Sequence, residues 1–583
     1  MRRRVTPLVV CLLGLVASVA GGQNTDPARL APDTTVVYAE IGNPAPLLDI
    51  ALAPKTQGLL ANVDGYQKWL GSDQYRELRT VVGVLESKLG RKWDAAVRDL
   101  IGGGVAICID PEAKTGFLAI RSRDRELLTR LNSTLIELIE GDAKTKGQPS
   151  PIKSETYGGV TGWTFGGEEA HAIVDDLLLV SQKADTLKAA IDRYRDPAAK
   201  NLAGNARFAA ARAKQGAGGI AWSWVDLEAV RKYPHVQQAL SKRSDNPLAE
   251  LLLAGVIESF KQAPYLGTSL GHHDGLLRLR LELPRTGAAA GTPRAWFFAT
   301  EANERALTPP GTIGTFTMFR DLAGLWLARD ELFDEEIVAK FAQADTQLGL
   351  FFSGRDFGPE VLGELQAPLQ FIVARQDYAR DKPIPALKLP AFALVLQLKH
   401  PDDFAPELLM TYQKVVGIVN LTGGQQGKPQ LLLSTESYQD VTISKATYLN
   451  DAKAAKENAP PHYNFSPACA RIGDHFVFGS TVEIVKQVVD AAKPDRSAGA
   501  LKDNTAFTVQ TASLASILAD NKELLITQNM LRDGHSRTEA ETVVQMLLDA
   551  LSSVDRFVVR LLTDDPATLA LEATVGCRAG MAP

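Results

Sequence analysis

The stretch that decides the fold runs from Tyr157 to Asp192. It opens Tyr157-Gly158-Gly159-Val160-Thr161, passes through Ala172-Ile173-Val174-Asp175-Asp176-Leu177-Leu178-Leu179-Val180, and closes on Leu187-Lys188-Ala189-Ala190-Ile191-Asp192. Two apolar runs joined by Asp175-Asp176 read as a hairpin, because short polar residues tolerate the backbone angles of a two-residue turn. Apolar positions at helical spacing follow. A relative of the stretch returns downstream. Tyr438-Gln439-Asp440-Val441-Thr442 matches the opening at an offset of 281. Ala470-Arg471-Ile472-Gly473-Asp474-His475-Phe476-Val477-Phe478 matches the middle, and Val485-Lys486-Gln487-Val488-Val489-Asp490 the close at an offset of 298. Each copy reads as strand, hairpin and helix, so the chain is expected to hold two copies of one unit.

Working outward, Leu30-Ala31-Pro32-Asp33-Thr34 feeds a strand, and further strands are expected at Val105 to Ile109 and Phe117 to Arg121. Leu127, Leu128, Leu131, Leu135, Leu138 and Ile139 mark one face of a helix from Glu126 to Glu140. Asn246-Pro247 starts another helix, Asn suiting the cap and Pro the first turn. A hairpin around His272-His273-Asp274-Gly275 closes the first half. The second half restarts at Leu307-Thr308-Pro309, and Gly354-Arg355-Asp356-Phe357 matches Gly90-Arg91-Lys92-Trp93 at an offset of 264. Ser536-Arg537-Thr538-Glu539 is a capping box before a last helix and hairpin. The expected fold is α+β: two tandem homologous lobes, each an antiparallel sheet with hairpins covered by amphipathic helices. The boundaries read 1–20 signal peptide, 21–29 polar lead-in, 30–284 first lobe, 285–306 linker, 307–575 second lobe and 576–583 tail.

A chain of 583 residues exceeds one core, so two or more domains are required. Hydrophobic content of 45% and charged content of 22% are those of a globular protein. A formal net charge of −5, with no basic run after residue 4, excludes nucleic acid as the main partner. Arg2-Arg3-Arg4, an apolar run from Leu8 to Val16, and Ser18-Val19-Ala20 make a secretory signal cut after Ala20. The run is short for a membrane span, although a retained anchor is the alternative reading. Cys108, Cys469 and Cys577 follow the signal, an odd number without metal-binding spacing. The expected address is therefore periplasmic or secreted, and not integral to the membrane.

The layout resembles a family of uncharacterised bacterial extracytoplasmic proteins of planctomycete type. The resemblance rests on Leu30-Ala31-Pro32-Asp33-Thr34, Tyr157-Gly158-Gly159 and Leu187-Lys188-Ala189-Ala190-Ile191-Asp192, with Gly354 to Gly358 and Val373 to Tyr378 in the second half. It implies an architecture and an address, and no activity.

Several motifs invite chemistry. Gly267-Thr268-Ser269-Leu270-Gly271 fits G-x-S-x-G and is followed by His272, His273 and Asp274, but a nucleophile elbow needs a helix after the turn and here a second strand follows. Gly423 to Lys428 lacks P-loop spacing, and Pro429 stands where a hydroxyl would hold Mg²⁺. It and Gly102-Gly103-Gly104 are expected to be loops. No metal site and no cofactor is expected. The Arg–aromatic pairs Arg91/Trp93 and Arg355/Phe357 stand out because both halves carry them. The second half adds Asp356, Arg375, Gln376 and Asp377. One reading has Arg355 and Arg375 flanking a polar pocket that binds an anionic group. The competing reading is a salt-bridge cluster with Asp356 and Asp377. Three function classes remain open. They are a non-catalytic extracytoplasmic protein with an envelope or protein partner, a carrier of an apolar or amphiphilic ligand in a lobe cavity, and a hydrolase.

Overall fold

The computed structural model describes residues 26–577, apart from 61–63, 168, 197, 215–218, 274–275, 286–291, 300–306, 379–382, 449–458, 494–502, 564 and 566. The signal at 1–20, the tail beyond 577, the tip of the His272–Gly275 turn and the side chain of Cys577 lie outside the described residues. The chain has α+β architecture and divides into two compact units. One comprises residues up to Gln237 and Ala263–Leu283; the other comprises Gln238–Gln262 and residues from Pro284 onward.

The first unit is built on β1 (Val37–Ile41), β2 (Gly104–Asp110), β3 (Thr115–Arg121), β4 (Ile152–Tyr157), β5 (Val160–Phe165), β6 (Glu169–Val174), β7 (Leu177–Ser181), β8 (Ala221–Asp226), β9 (Tyr265–His273) and β10 (Leu276–Pro284). Side by side they run β4-β5-β6-β7-β3-β2-β1-β8-β9-β10, every neighbour antiparallel. Gly158 (φ 53°) and Gly159 (φ 75°) give the β4–β5 hairpin its two left-handed residues, which L side chains adopt only with strain. Side chains alternate across a strand, so an apolar run buried on both faces serves two cores. Along β7, Leu177 and Leu179 join the core beneath helix Ala184–Arg195, whereas Leu178 packs with Ile120 and Leu128 on the other face. Each such leucine contributes about 1.5–3 kcal/mol by burial. Helix Arg125–Thr145 covers that second face, its first turn held by Asp124, which accepts the Leu127 N–H at 2.8 Å.

The second unit holds β11 (Thr312–Phe319), β12 (Leu365–Ala374), β13 (Ala391–Leu398), β14 (Leu431–Tyr438), β15 (Val441–Tyr448), β16 (Ala468–Ile472), β17 (His475–Gly479), β18 (Thr505–Gln510), β19 (Val554–Leu562) and β20 (Thr568–Cys577). Their order is β14-β15-β16-β17-β13-β12-β11-β18-β19-β20, the same as in the first unit. Registers agree as well. His171 faces Val180 as Cys469 faces Phe478, and Phe117 faces Ser181 as Ala393 faces Gly479. Tyr157 donates to Asp192 at 3.0 Å as Tyr438 donates to Asp490 at 3.0 Å. Lys188 pairs with Glu155 at 2.8 Å as Lys486 pairs with Glu436 at 2.7 Å, and each lysine lies 5.5 Å from its tyrosine ring.

Three stretches sit differently from the sequence expectation. Residues 238–262, read as part of the first lobe, belong to the second unit. The reason lies in helix Pro247–Gln262: buried Glu250 accepts from Arg294 Nε at 2.6 Å, and the Leu251 carbonyl accepts from Arg320 Nε at 2.9 Å. Gly255 has no room for a Cβ, which would fall 2.3 Å from the Phe297 ring. The described part of the 285–306 linker contains a short helix, Ala295–Phe298, because the apolar run Trp296-Phe297 is buried. Gly423 and Gly424 belong to the last turn of helix Pro401–Gln425 rather than to a loop, and Gly427 (φ 67°) follows it. Arg320 is fully buried over the Phe297 ring at 3.6 Å. It also donates to the Phe319 carbonyl at 2.6 Å, to Asn504 Oδ1 at 2.8 Å and to Thr505 Oγ1 at 2.7 Å.

Candidate functional site

In the first unit, helices Asp73–Leu89, Trp93–Leu100 and Arg125–Thr145 do not close fully onto β3, β5, β6 and β7. They leave a cavity of about 170 Å³. Its wall is mostly apolar, with Leu85, Leu89, Leu100, Leu131, Leu135 and Ile139 from the helices and Ile120, Leu178 and Val180 from the strands. A dry apolar cavity of about 150 Å³ is large enough to take up benzene, so this one admits an aryl ring or a short alkyl chain.

Two buried polar side chains interrupt the wall, Asn132 and His171, each 9% exposed, and the charged Glu86, Arg91 and Glu169 also line it. His171 Nε2 lies 2.7 Å from Asn132 Oδ1; with the amide in this orientation its oxygen accepts and Nε2 carries the hydrogen. The imidazole stacks on Trp163 at 5.1 Å and on Phe165 at 5.3 Å. Burial pushes its pKa down to about 4, and the ring is neutral at pH 7. Three of the lining residues are exposed: Arg91, Trp93 and Glu169. Arg91 pairs with Asp99 and with Asp124 at 3.2 Å, tying the loop before helix Trp93–Leu100 to the start of helix Arg125–Thr145. The Trp93 N–H donates to Glu86 Oε1 at 2.9 Å, and the Trp93 side chain is 44% exposed.

The matching positions of the second unit carry larger or apolar side chains. By strand register Cys469 stands for His171, Phe478 for Val180 and Phe476 for Leu178. Counting from the residue before each helix, Phe404 stands for Leu128 and Leu408 for Asn132. Phe404, Leu408, Cys469 and Phe476 are all buried in one cluster there, with Phe352 stacked on Phe404 at 6.4 Å.

The residues singled out in the second half are held by separate partners. Arg355 pairs with Glu407 at 2.7 Å and lies over Phe404 at 5.9 Å. The Asp356 N–H donates to Glu360 Oε2 at 2.8 Å, and Phe357 packs against Trp326 and Phe352. Arg375 Nε donates to Asp520 at 3.0 Å and its Nη1 to Asp377 at 3.2 Å; the hydrogen bond to Asp520 is the main reason its pKa is raised. Gln376 Nε2 donates to the Leu389 and Asn464 carbonyls at 3.0 and 3.1 Å. Arg355 precedes β12 and Arg375 follows it, and a ten-residue strand spans about 33 Å, so the two arginines do not share a pocket. Asp377 joins an ion pair with Arg375, whereas the carboxylate partner of Arg355 is Glu407 rather than Asp356.

Ser269 lies within β9 opposite Arg280 of β10, in a strand pair and not on an elbow. Cys108 and Cys469 are buried free thiols, and desolvation pushes Cys469 up to about 12. Among the described residues no group of three His, Cys, Asp or Glu side chains could hold a metal ion, and no helix is long and apolar enough to cross a membrane. A larger polar groove of about 1550 Å³ borders helix Ala184–Arg195; it is open, and two of its five cations, Arg193 and Arg207, are engaged by the protein. Arg207 binds Asp226 at 2.7 Å, and Arg193 donates to the Leu30 carbonyl at 2.9 Å.

The sequence reading allowed for a cavity without naming its residues. Two signals pointed to it: a histidine inside the apolar run Ala170 to Val174, and an asparagine within the leucine stripe from Leu127 to Leu138.

No protein-family model and no curated protein matches the chain. Among solved structures, crystal form IV of TP0453 is similar over 45% of this chain and 81% of its own, with a TM-score of 0.25 and 10% identity. Crystal forms I and III give TM-scores of 0.24 and 0.25, with 12% and 11% identity, over 46% and 47% of this chain and 83% and 85% of theirs.

Proposed function

We propose that this chain is a non-catalytic exported binding protein whose first unit carries one small apolar or amphiphilic molecule. The reading rests on the cavity: a mostly apolar wall around about 170 Å³ with one buried neutral polar pair, Asn132 and His171, the charged Glu86, Arg91 and Glu169 also lining it. A small apolar molecule in a space of this size would leave water and gain dispersion contacts with the lining side chains. The two units derive from one duplicated ancestor, and their shared strand order, register and Tyr–Asp and Lys–Glu ties support this. On that view one copy kept a filled core while the other is hollow. The address follows from the basic, apolar and small-residue pattern of Met1 to Gly21. The family resemblance is kept for architecture and address alone.

The test is a titration of the intact protein with toluene, followed by isothermal calorimetry and by the fluorescence of Trp93 at the cavity wall. Saturable one-site binding, abolished by Val180→Phe, is the expected result. Absence of binding, together with no small molecule released by solvent from protein purified from its host, would remove the carrier reading.

A further inference from the structure

Resting on the carrier reading, we infer that the ligand is an uncharged amphiphile whose alcohol- or amide-type head lies against Asn132 and His171, with its aryl or alkyl body among the surrounding leucines.

Asn132 and His171 are both about nine-tenths buried, and both line the cavity. They use one donor and one acceptor on each other at 2.7 Å. The second ring nitrogen of His171 and the amide nitrogen of Asn132 have no partner among the described residues. If the amide were turned over, it would donate to Nε2, and the ring N–H and the amide oxygen would be left instead. Either way the pair offers one donor and one acceptor and carries no charge. Neither atom is among the sealed, unpartnered polar atoms of the described residues, so both stay reachable from the cavity, and a ligand that supplies a donor and an acceptor satisfies them where an apolar one does not.

A hydroxyl both donates and accepts, and an amide does the same through two atoms. An ionised carboxylate only accepts, so it would set its charge against a lone pair with no cation beside it. Arg91, the cation of the lining, is engaged by Asp99 and Asp124. A pure hydrocarbon would fill the aliphatic part and leave both polar atoms bare. The second unit fits the same logic: where Leu408 and Cys469 replace the polar pair, Phe404 and Phe476 are packed beside them.

The experiment compares toluene, benzyl alcohol and sodium benzoate, three probes of nearly one shape, on the intact protein and on Asn132→Val/His171→Phe at about pH 7. Circular dichroism first establishes that the double variant is folded. In the native protein benzyl alcohol should bind at least tenfold tighter than benzoate. The ratio of toluene to benzyl alcohol dissociation constants should fall by roughly three- to tenfold in the double variant, the worth of one neutral hydrogen bond. Tighter benzoate than benzyl alcohol would overturn the inference. So would an unchanged ratio in the variant, while toluene binding left the carrier reading standing. If none of the three binds the native protein, the carrier reading itself falls. Should the variant prove unfolded, the native ranking of alcohol over benzoate decides alone.

Discussion

Acidification should weaken the first unit through His171. The ring is 9% exposed, stacked on two aromatic side chains, and burial pushes its pKa down to about 4. In an unfolded chain the same ring takes up its proton at about 6.5. Between those two values the unfolded state holds a proton that the folded state lacks. The contribution is therefore fully present above pH 6.5 and is lost as the pH falls towards 4. At about 1.36 kcal/mol per unit, the loss totals about 3 kcal/mol over that window. Carboxylates titrate in the same range, so the comparison that isolates the ring is with Asn132→Val/His171→Phe, which replaces both polar partners and leaves no N–H stranded. Two buried thiols make the measurement unit by unit: Cys108 in β2 and Cys469 in β16. Pulses of a disulfide reagent that acts at acid pH, given across a urea series, report the opening of each. Between about pH 7 and pH 4.5 the Cys108 transition of the native protein should lose about 2–3 kcal/mol more than that of the variant. The Cys469 transitions should differ little between the two proteins. Parallel Cys108 curves at every pH would refute the reasoning and mean that the ring protonates in the folded unit.

Four further outcomes are expected. Val180→Phe, which copies Phe478 of the second unit, should fill part of the cavity, abolish toluene binding and leave the Cys108 transition unchanged or up to about 2 kcal/mol higher. Arg320→Met should lower the Cys469 transition by about 3 kcal/mol or more, since it strips charge-assisted bonds from buried carbonyls of the second unit; a change below 1 kcal/mol would show the arginine to be dispensable. Asp440 (φ 63°) occupies a left-handed position that Gly159 fills in the first unit, so Asp440→Gly should stabilise and Gly159→Ala destabilise by about 1 kcal/mol each in urea titrations. Arg355→Ala/Arg375→Ala should cost about 1 kcal/mol in the second unit, because both ion pairs are partly exposed, with toluene binding unaffected; loss of binding would point to a site at these residues.

Much of the fold was legible because its signals are local. The turns at Gly158-Gly159 and Asp175-Asp176, the leucine face from Leu127 to Leu138 and the capping box at Ser536 each declare themselves within a few residues. The offsets of 281 and 298 were legible too, and the paired registers carry the same numbers, Tyr157 with Tyr438 and Asp192 with Asp490. What the sequence hid depends on sums over distant elements. The cavity is a shortfall of volume shared by three helices and four strands, and no single leucine announces it. Helix Pro247–Gln262 has an ordinary cap and stripe, and its allegiance is decided by Arg294 and Arg320, far along the chain. Arg91 and Arg355 looked alike in their motifs, yet Asp99 and Asp124 hold the first while Glu407 holds the second.

That allegiance makes the protein hard to dissect. The second unit borrows residues 238–262 from between two stretches of the first, so no single cut yields two intact halves. A fragment ending at Pro284 would carry Glu250 without Arg294, a carboxylate meant for burial left with no cation. A fragment beginning there would lack the helix that meets Phe297 and Arg320. Synthesis faces the same topology in time. Glu250 leaves the ribosome 44 residues ahead of Arg294, and Leu251 leaves it 69 ahead of Arg320. At about 5–20 residues per second the helix waits roughly 2–15 s for its partners. Throughout that interval its apolar face is open to the wrong company, so a nascent chain of this protein should lean on chaperones longest while this one helix is unclaimed.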